Sequence, residues 1–458
     1  MIRTQLMKHQ QLMLKFSLGK PYFGLFADYG VGKTLTILAY IEKMQFRRSL
    51  VVSTKTSIES TWTDEISQHS NFRYVMLLGT RTQKLAILNR GFVLSEPSAG
   101  YYHSSDSRPV IFLVNFDGVK NIYEELLATH FNYVAVDEST KIKSSDSMRT
   151  KVLWAFGKEM KYKSIMTGFP VTESLSNIYS QIKFLDNGAT LGNSYYAFLD
   201  TYFVKVGFGY YPRKKKIKQL LDLIKPFCIR ITNDVIRLPP KVYKTLTVPM
   251  TSQQDKLLTE FREMFQLEFG KVKIDTQYIF TLINKSLQIC DGFIQDDKHL
   301  EVIETHKDEA LISILEEIDA YNHKVIIWCA YLFTIKKLER ILKKLGYGVL
   351  KLTGEVKNVQ SIVSAFQNLK KYQILLATQK KASGSITLTK CRYAIYYSNT
   401  WSYDERANSE ARIRRKGSEH HASIIYTDLV TKGAVESKVY DCLRKKKNLV
   451  EELKKEFT

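Results

Sequence analysis

The chain has 458 residues, room for two to four domains at roughly 100–200 residues each. Apolar residues make up 44% and charged ones 25%, a balance that excludes a disordered chain, and no run approaches the roughly 18 uninterrupted apolar residues of a membrane span. Lysine and arginine number 68 against 46 acidic residues; the formal charge of +22 calls for an anionic partner, nucleic acid foremost, with anionic membranes and simple solubility as other sources of a basic chain.

The start, MIRTQLMKHQ, lacks the apolar core of a secretory leader, so a cytoplasmic protein without a membrane partner is expected. Five cysteines, Cys228, Cys290, Cys329, Cys391 and Cys442, are scattered without a C-x-x-C pair or a His/Cys cluster, which points to reduced thiols and no zinc. A polar N-terminal helix carries Gln10 in MKHQQ; by itself such a glutamine lies on a solvated face. Buried strands are then expected at PYFGLFA (21–27), SLVVST (49–54), PVIFLVN (109–115), YVAVDES (133–139) and KSIMTG (163–168), because continuous apolar runs ending in small or polar residues suit strands covered on both faces.

From 186 to 240 the texture changes: YYAFLDTYF, GFGYYPRKKKIKQ and LPP suggest an insertion and linker, and 252–290 reads as helical. The strand texture returns with KVIIWCA (324–330), GVLKLTG (348–354), QILLATQ (373–379), YAIYYSN (393–399) and ASIIYTD (422–428). The organisation is therefore α/β: a first lobe over 1–185, a partly helical and basic region over 186–295, a second lobe over 296–445 and a charged helix over 446–458, each lobe a parallel sheet with crossover helices.

Within the first lobe, ADYGVGKT comes after a strand and opens a helix. Gly30 and Gly32 let backbone N–H groups converge on phosphate oxygens, Lys33 supplies a point charge, and Thr34 can ligate Mg²⁺ at the helix N-terminus. The first position of the phosphate-loop pattern is Ala27 instead of glycine. An ATP site also needs a carboxylate at the end of another buried strand, and YVAVDES offers Asp137 to hold Mg²⁺ through water and Glu138 as general base toward the attacking water. Without the phosphate loop, such a pair would read as a solvated strand end.

ADYGVGKT, VDESTKIKS and TGFPVTESLSNIYSQIKFL together resemble motifs I, II and III of superfamily 2 helicases of the Swi/Snf-like branch. LVVSTKTSIESTWTDEI is similar to that branch's motif Ia, and RITNDVIRLPPKVYKTLTVPMTSQQ to its segment leading into LPPK and a following glutamine. The resemblance spans nearly the whole chain and implies two RecA-like lobes with ATP between them and DNA across both. It places Gln10 at the position that recognises adenine and aligns Arg412 and Arg415 of SEARIRRKGS with two arginines on one helix face, Arg415 being the candidate arginine finger. A basic helix face is the alternative for that pair. The pattern further nominates Ser53, Thr54, Lys55, Asn115, Thr353, Gly354, Gln379 and Ser383 for nucleic-acid contacts, each otherwise an ordinary loop residue.

Departures accompany the likeness: Thr140 replaces the histidine found after the carboxylates, and Ala382, Ser383 and Ser385 stand where motif V carries glycines. The run Arg213, Lys214, Lys215 and Lys216, behind GFGYYP, could grip a nucleic-acid backbone beside aromatics or be a solvated loop. The leading expectation is an ATP- and Mg²⁺-dependent DNA helicase or translocase, acting as a single chain on duplex, forked or branched DNA. It resembles in scale the compact branch-migrating helicases of bacteriophages. An RNA helicase and a non-catalytic nucleic-acid-binding relative are the alternatives.

Overall fold

A computed structural model of the protein describes residues 1–89, 108–171, 174–206, 209–269, 276–296, 299–356, 358–380, 386–434 and 436–445. The expected charged helix at 446–458 and the candidate Ser383 lie outside the described residues. Met1–Arg237 forms the body of one compact unit and Leu238–Asn448 the other.

The first unit is built on strands β1 (Tyr22–Ala27), β2 (Arg48–Ser53), β3 (Arg73–Leu77), β4 (Val110–Asn115), β5 (Tyr133–Asp137) and β6 (Tyr162–Thr167), a small hairpin of β7 (Phe203–Val206) and β8 (Gly209–Pro212), and β9 (Cys228–Ile231). Apart from the hairpin these form one sheet in the order β3-β4-β2-β5-β6-β1-β9, every pairing parallel. Helix α1 (Lys8–Ser17) precedes β1 and α2 (Lys33–Lys43) comes after it. Seven consecutive α2 residues, Leu35 to Ile41, are buried, as in a helix covered all round by its domain. Tyr40 fixes α2 to the sheet, its ring edge-on to Phe23 at 4.8 Å and tilted against Tyr133 at 5.3 Å. The start of α2 is thereby held at the C-terminal ends of the strands, where ligands of open parallel sheets bind.

The second unit contains β10 (Lys241–Val248), a hairpin of β11 (Phe293–Gln295) and β12 (Leu300–Val302), then β13 (Lys324–Cys329), β14 (Val349–Leu352), β15 (Ile374–Thr378), β16 (Cys391–Tyr396) and β17 (Ile424–Thr431). Its main sheet runs β10-β17-β16-β13-β15-β14, again parallel throughout. Alternate residues of β13 feed two cores: Val325, Ile327 and Cys329 into one, Ile326 and Trp328 into the other. The ten expected strands are present, and the segments 252–269 and 276–290 are helical. Strands β3, β9 and β10 are additions to the main sheets: two extend the first sheet at its edges and β10 forms an edge of the second.

Candidate nucleotide-binding site

Four adjacent strands, β2, β5, β6 and β1, deliver the candidate residues to one end of the first sheet. After β1 the chain turns through Gly30 and Gly32, at φ +83° and +82°, in the left-handed region that side chains with a Cβ avoid. A Cβ on Gly32 would lie 2.0 Å from Gln10 Nε2, so the bare glycine also lets α1 close onto the loop. Gly32 caps α2 without a side-chain hydrogen bond and no acidic residue occupies the first turn, leaving helix N–H groups available to an anion.

Lys33 Nζ donates to the carbonyls of Ala27 at 2.6 Å and Asp28 at 3.2 Å, so the ammonium lies inside the curve of the loop. Burial draws it below the ordinary lysine range, opposed by the Glu138, Asp137 and Asp28 carboxylates and reinforced by Arg230. Thr34 is half-buried in the first turn of the helix. Gln10 is 4% exposed; its amide oxygen accepts from Met7 N at 2.9 Å and its nitrogen donates to Val31 O at 3.4 Å. His9 Nε2 bonds to the same carbonyl at 2.9 Å, and because a carbonyl only accepts, that nitrogen carries the proton. His9 was not among the sequence candidates.

β5 ends at Asp137, and Glu138 comes next at φ +52°, ψ +51°, a conformation a non-glycine residue holds only where its surroundings impose it. Asp137 Oδ2 accepts from Ser53 Oγ at 2.9 Å, Trp62 Nε1 at 3.0 Å and Ser57 Oγ at 3.4 Å, while Oδ1 takes the Glu138 N–H at 3.0 Å. Ser53, nominated for nucleic-acid contact, is thus fully buried under the carboxylate and cannot meet a backbone phosphate from outside. The next residue, Ser139, donates to Gln181 Oε1 at 2.7 Å, and Gln181 Nε2 donates to Pro170 O at 2.7 Å, which ties the carboxylate turn to TGFP after β6. Tyr29 of the phosphate loop packs on Gly168, where a Cβ would lie 2.9 Å from its ring.

The sequence reading also missed Arg230, on β9 opposite Phe26 of β1. Its side chain is 1% exposed; Nη1 donates to Phe26 O at 2.9 Å and Gly168 O at 2.6 Å, and Nη2 pairs with Asp28 Oδ1. One guanidinium therefore joins the strand end, the phosphate loop and TGFP. The available signal was a charged residue inside the otherwise apolar CIRI.

Other nucleic-acid candidates occupy varied places. Thr54 caps the short helix Lys55–Ser57 by accepting from Ser57 N at 3.3 Å, and exposed Lys55 pairs with Glu59 at 3.6 Å. Asn115 ends β4, half-buried, its Oδ1 against Gly118. Lys214, Lys215 and Lys216 begin a helix, Lys214–Ile224, instead of lying in a loop, and Arg213 precedes it with Nε donating to Phe203 O at 2.9 Å. In the second unit Gly354 is exposed and Thr353 buried. Gln379 is 1% exposed, donating to Asn399 Oδ1 at 3.1 Å and accepting from Thr400 N at 2.9 Å, an interior role.

Arg412 and Arg415 do not share a helix face. The helix Tyr403–Ile413 ends between them, because Arg414 leaves helical geometry with its Nε bonded to Pro239 O at 2.6 Å and Gly417 turns the chain at φ +100°. Arg412 is 6% exposed beside Asn408, and Arg415 donates to Ile386 O at 3.2 Å. Arg406 anchors this helix, paired with Asp428 and Glu410 and lying 3.4 Å over the Tyr396 ring. Glu410 also accepts from Tyr243 and from Lys241, the lysine of LPPK; burial alone would raise its carboxyl, but Lys241 and Arg406 hold it well below the usual range.

The family model described as SNF2-related domain matches residues 9–300, and the one described as helicase conserved C-terminal domain matches residues 306–417. The putative ATP-dependent helicase/translocase YwqA of Bacillus subtilis (strain 168) is 23% identical over 449 residues, 93% of this chain and 46% of that protein, so the chain spans about half the length of this relative. The putative protein p41 of Acyrthosiphon pisum secondary endosymbiont phage 1 is 24% identical, with 74% of each chain covered. Among solved structures, the Sulfolobus solfataricus SWI2/SNF2 ATPase core in complex with dsDNA is 22% identical, covering 99% of this chain and 93% of that one, with a TM-score of 0.45. With the first family model alone matching residues 9–300, more than half its length, the chain belongs to the SNF2-related family, the Swi/Snf-like branch of superfamily 2 helicases that its motifs resemble.

Proposed function

We propose that the protein is an ATP-driven DNA motor, hydrolysing ATP and using the cycle to move along duplex DNA at forks or branches. The observation that carries this reading is the convergence of Lys33, at the start of α2 after β1, with Asp137 and Glu138, at the end of β5, where Arg230, Gln181 and Trp62 hold the surrounding turns. On this reading the α2 N-terminus and Lys33 bind the terminal phosphates, Gln10 lies beside the base, and Glu138 orients the attacking water. The donor set fits Mg²⁺: Thr34 and Asp137 offer hard oxygens, and this ion takes one or two protein ligands with phosphate and water completing its shell. Mg²⁺ would supply charge neutralisation during phosphoryl transfer. Arg412 and Arg415 are assigned to stabilising transition-state charge, with Arg415 as the finger.

The charge of +22 supports a polyanionic track, and the names of two relatives, DNA repair and recombination protein RAD54B and DNA excision repair protein ERCC-6-like, favour DNA over RNA. Three lysines crowd the first turn of the helix Lys214–Ile224 with no acidic residue among them, against the helix dipole's preference for anions there. That local conflict is relieved by a phosphate backbone, and Tyr211 and Val206, 58% and 59% exposed on the adjoining hairpin, offer apolar surface to bases. Thr54, Lys55, Asn115 and Gly354 complete the proposed backbone contacts. Strand separation and branch migration assayed with ATP on forked and four-way DNA test this reading; activity confined to RNA, or none on either DNA, would refute it.

A further inference from the structure

Asp137 is held more tightly than metal binding alone explains. Three donors converge on its Oδ2, which exhausts that oxygen's acceptor sites and leaves Oδ1 as the one oriented by the single Glu138 N–H. Ser53 and Trp62 are fully buried, so their bonds to the carboxylate are shielded from water and charge-assisted.

All three donors come from one stretch of ten residues. It runs from the end of β2 through the three-residue helix Lys55–Ser57 into a π-helical turn, Ile58–Trp62, before an α-helix resumes at Thr63. Such wide turns are rare and concentrate at functional sites. One residue of offset rotates the downstream side chains by about 100° relative to an uninterrupted α-helix, which is the kind of adjustment that selects where an indole points.

The outer side of the same stretch is chemically open. Lys55 is 67% exposed in its side chain and pairs with a half-exposed Glu59 at 3.6 Å, an exchangeable surface pair. Thr54 Oγ1 caps Ser57 N, the residue whose hydroxyl reaches Asp137. A phosphate drawing Lys55 from Glu59, or taking the cap from Thr54, would act on the helix turn that carries Ser57 and leads into Trp62.

We propose that Ser57 and Trp62 are positioning residues through which a nucleic-acid phosphate bound at Thr54 and Lys55 sets the orientation of the Asp137 carboxylate, and so the rate of ATP hydrolysis. The proposal rests on the motor reading above. Trp62→Phe retains the ring and removes the Nε1 donor; Ser57→Ala removes the hydroxyl at little cost to packing. In the full chain, ATP hydrolysis is measured with and without saturating duplex DNA, together with duplex affinity and the Mg²⁺ concentration for half-maximal rate. The ratio of stimulated to unstimulated rate is expected to fall about tenfold in Trp62→Phe, the scale of one hydrogen bond to a charged group, and about threefold in Ser57→Ala. Duplex affinity should stay within about twofold of wild type and the Mg²⁺ requirement should rise. If both variants lose stimulated and unstimulated rates by one factor, or keep the wild-type ratio, the relay is refuted while the motor reading stands. A wild-type chain that no nucleic acid stimulates would refute the motor reading and the relay together.

Discussion

Arg230→Met isolates the contribution of the guanidinium that joins three parts of the candidate site. The methionine keeps most of the stem volume but removes the buried ion pair between Arg230 and Asp28 and the guanidinium hydrogen bonds to the Phe26 and Gly168 carbonyls. Removing one member of a buried ion pair costs about 3–5 kcal/mol. Asp28 retains 17% side-chain exposure and can recover some hydration, which favours the lower figure. A loss of about 3 kcal/mol in a unit of this size lowers the midpoint of thermal unfolding by about 6–12 °C. The Asp28 carbonyl also accepts from Lys33, so a slackened loop should weaken nucleotide binding more than a remote substitution of equal stability cost. Differential scanning calorimetry and titration with a fluorescent ATP analogue read the two effects. A midpoint within about 2 °C of wild type, together with unchanged nucleotide affinity, would refute the assignment of Arg230 as the clasp of the phosphate loop.

Lys163 gives a pH signature. Buried at 3% exposure, with its Nζ donating to Gly157 O and Asn187 Oδ1, it is drawn by burial from the ordinary 10.5 to about 8, with Asp186 opposing. The unfolded chain therefore binds the extra proton between those values, so the first unit should gain stability as pH rises from about 8 to 10.5, by at most about 3 kcal/mol. Denaturant titrations of wild type against Lys163→Met should diverge in slope across that window, and parallel curves would contradict the burial argument. Neutralising Arg213, Lys214, Lys215 and Lys216 together should reduce the salt slope of duplex binding by up to about 4, read by fluorescence anisotropy across a salt series; an unchanged slope would remove this helix from the DNA surface.

Local patterning determined how much of the fold could be read from the sequence. Strands covered on both faces announce themselves as unbroken apolar runs, and all ten of those were readable. The three main-sheet strands that were not each interrupt that pattern: RYVML places an arginine and a tyrosine in a short edge strand, CIRI buries an arginine, and KVYKTLTV exposes seven of its eight residues. The phosphate loop and the carboxylate pair were recognisable because their chemistry is set by consecutive residues. Arg230 was not, because its partner Asp28 lies 202 positions earlier and nothing local marks the pairing. Spacing misled where a helix boundary intervened: three residues between Arg412 and Arg415 imply one face only if the helix continues, and Arg414 ends it. Polar residues at strand ends were ambiguous in the same way, since Ser53 and Gln379 turned out to satisfy buried groups and not solvent.

The central claim is that the loop around Lys33 drives chemistry coupled to DNA. Its most direct test is steady-state ATP hydrolysis by the full chain with Mg²⁺, in the presence and absence of duplex DNA, for wild type and Lys33→Ala. The account predicts hydrolysis that duplex DNA accelerates in wild type and that the substitution abolishes, while the variant still binds duplex. Wild-type hydrolysis indifferent to DNA, or a Lys33→Ala protein that hydrolyses ATP as fast as wild type, would contradict it.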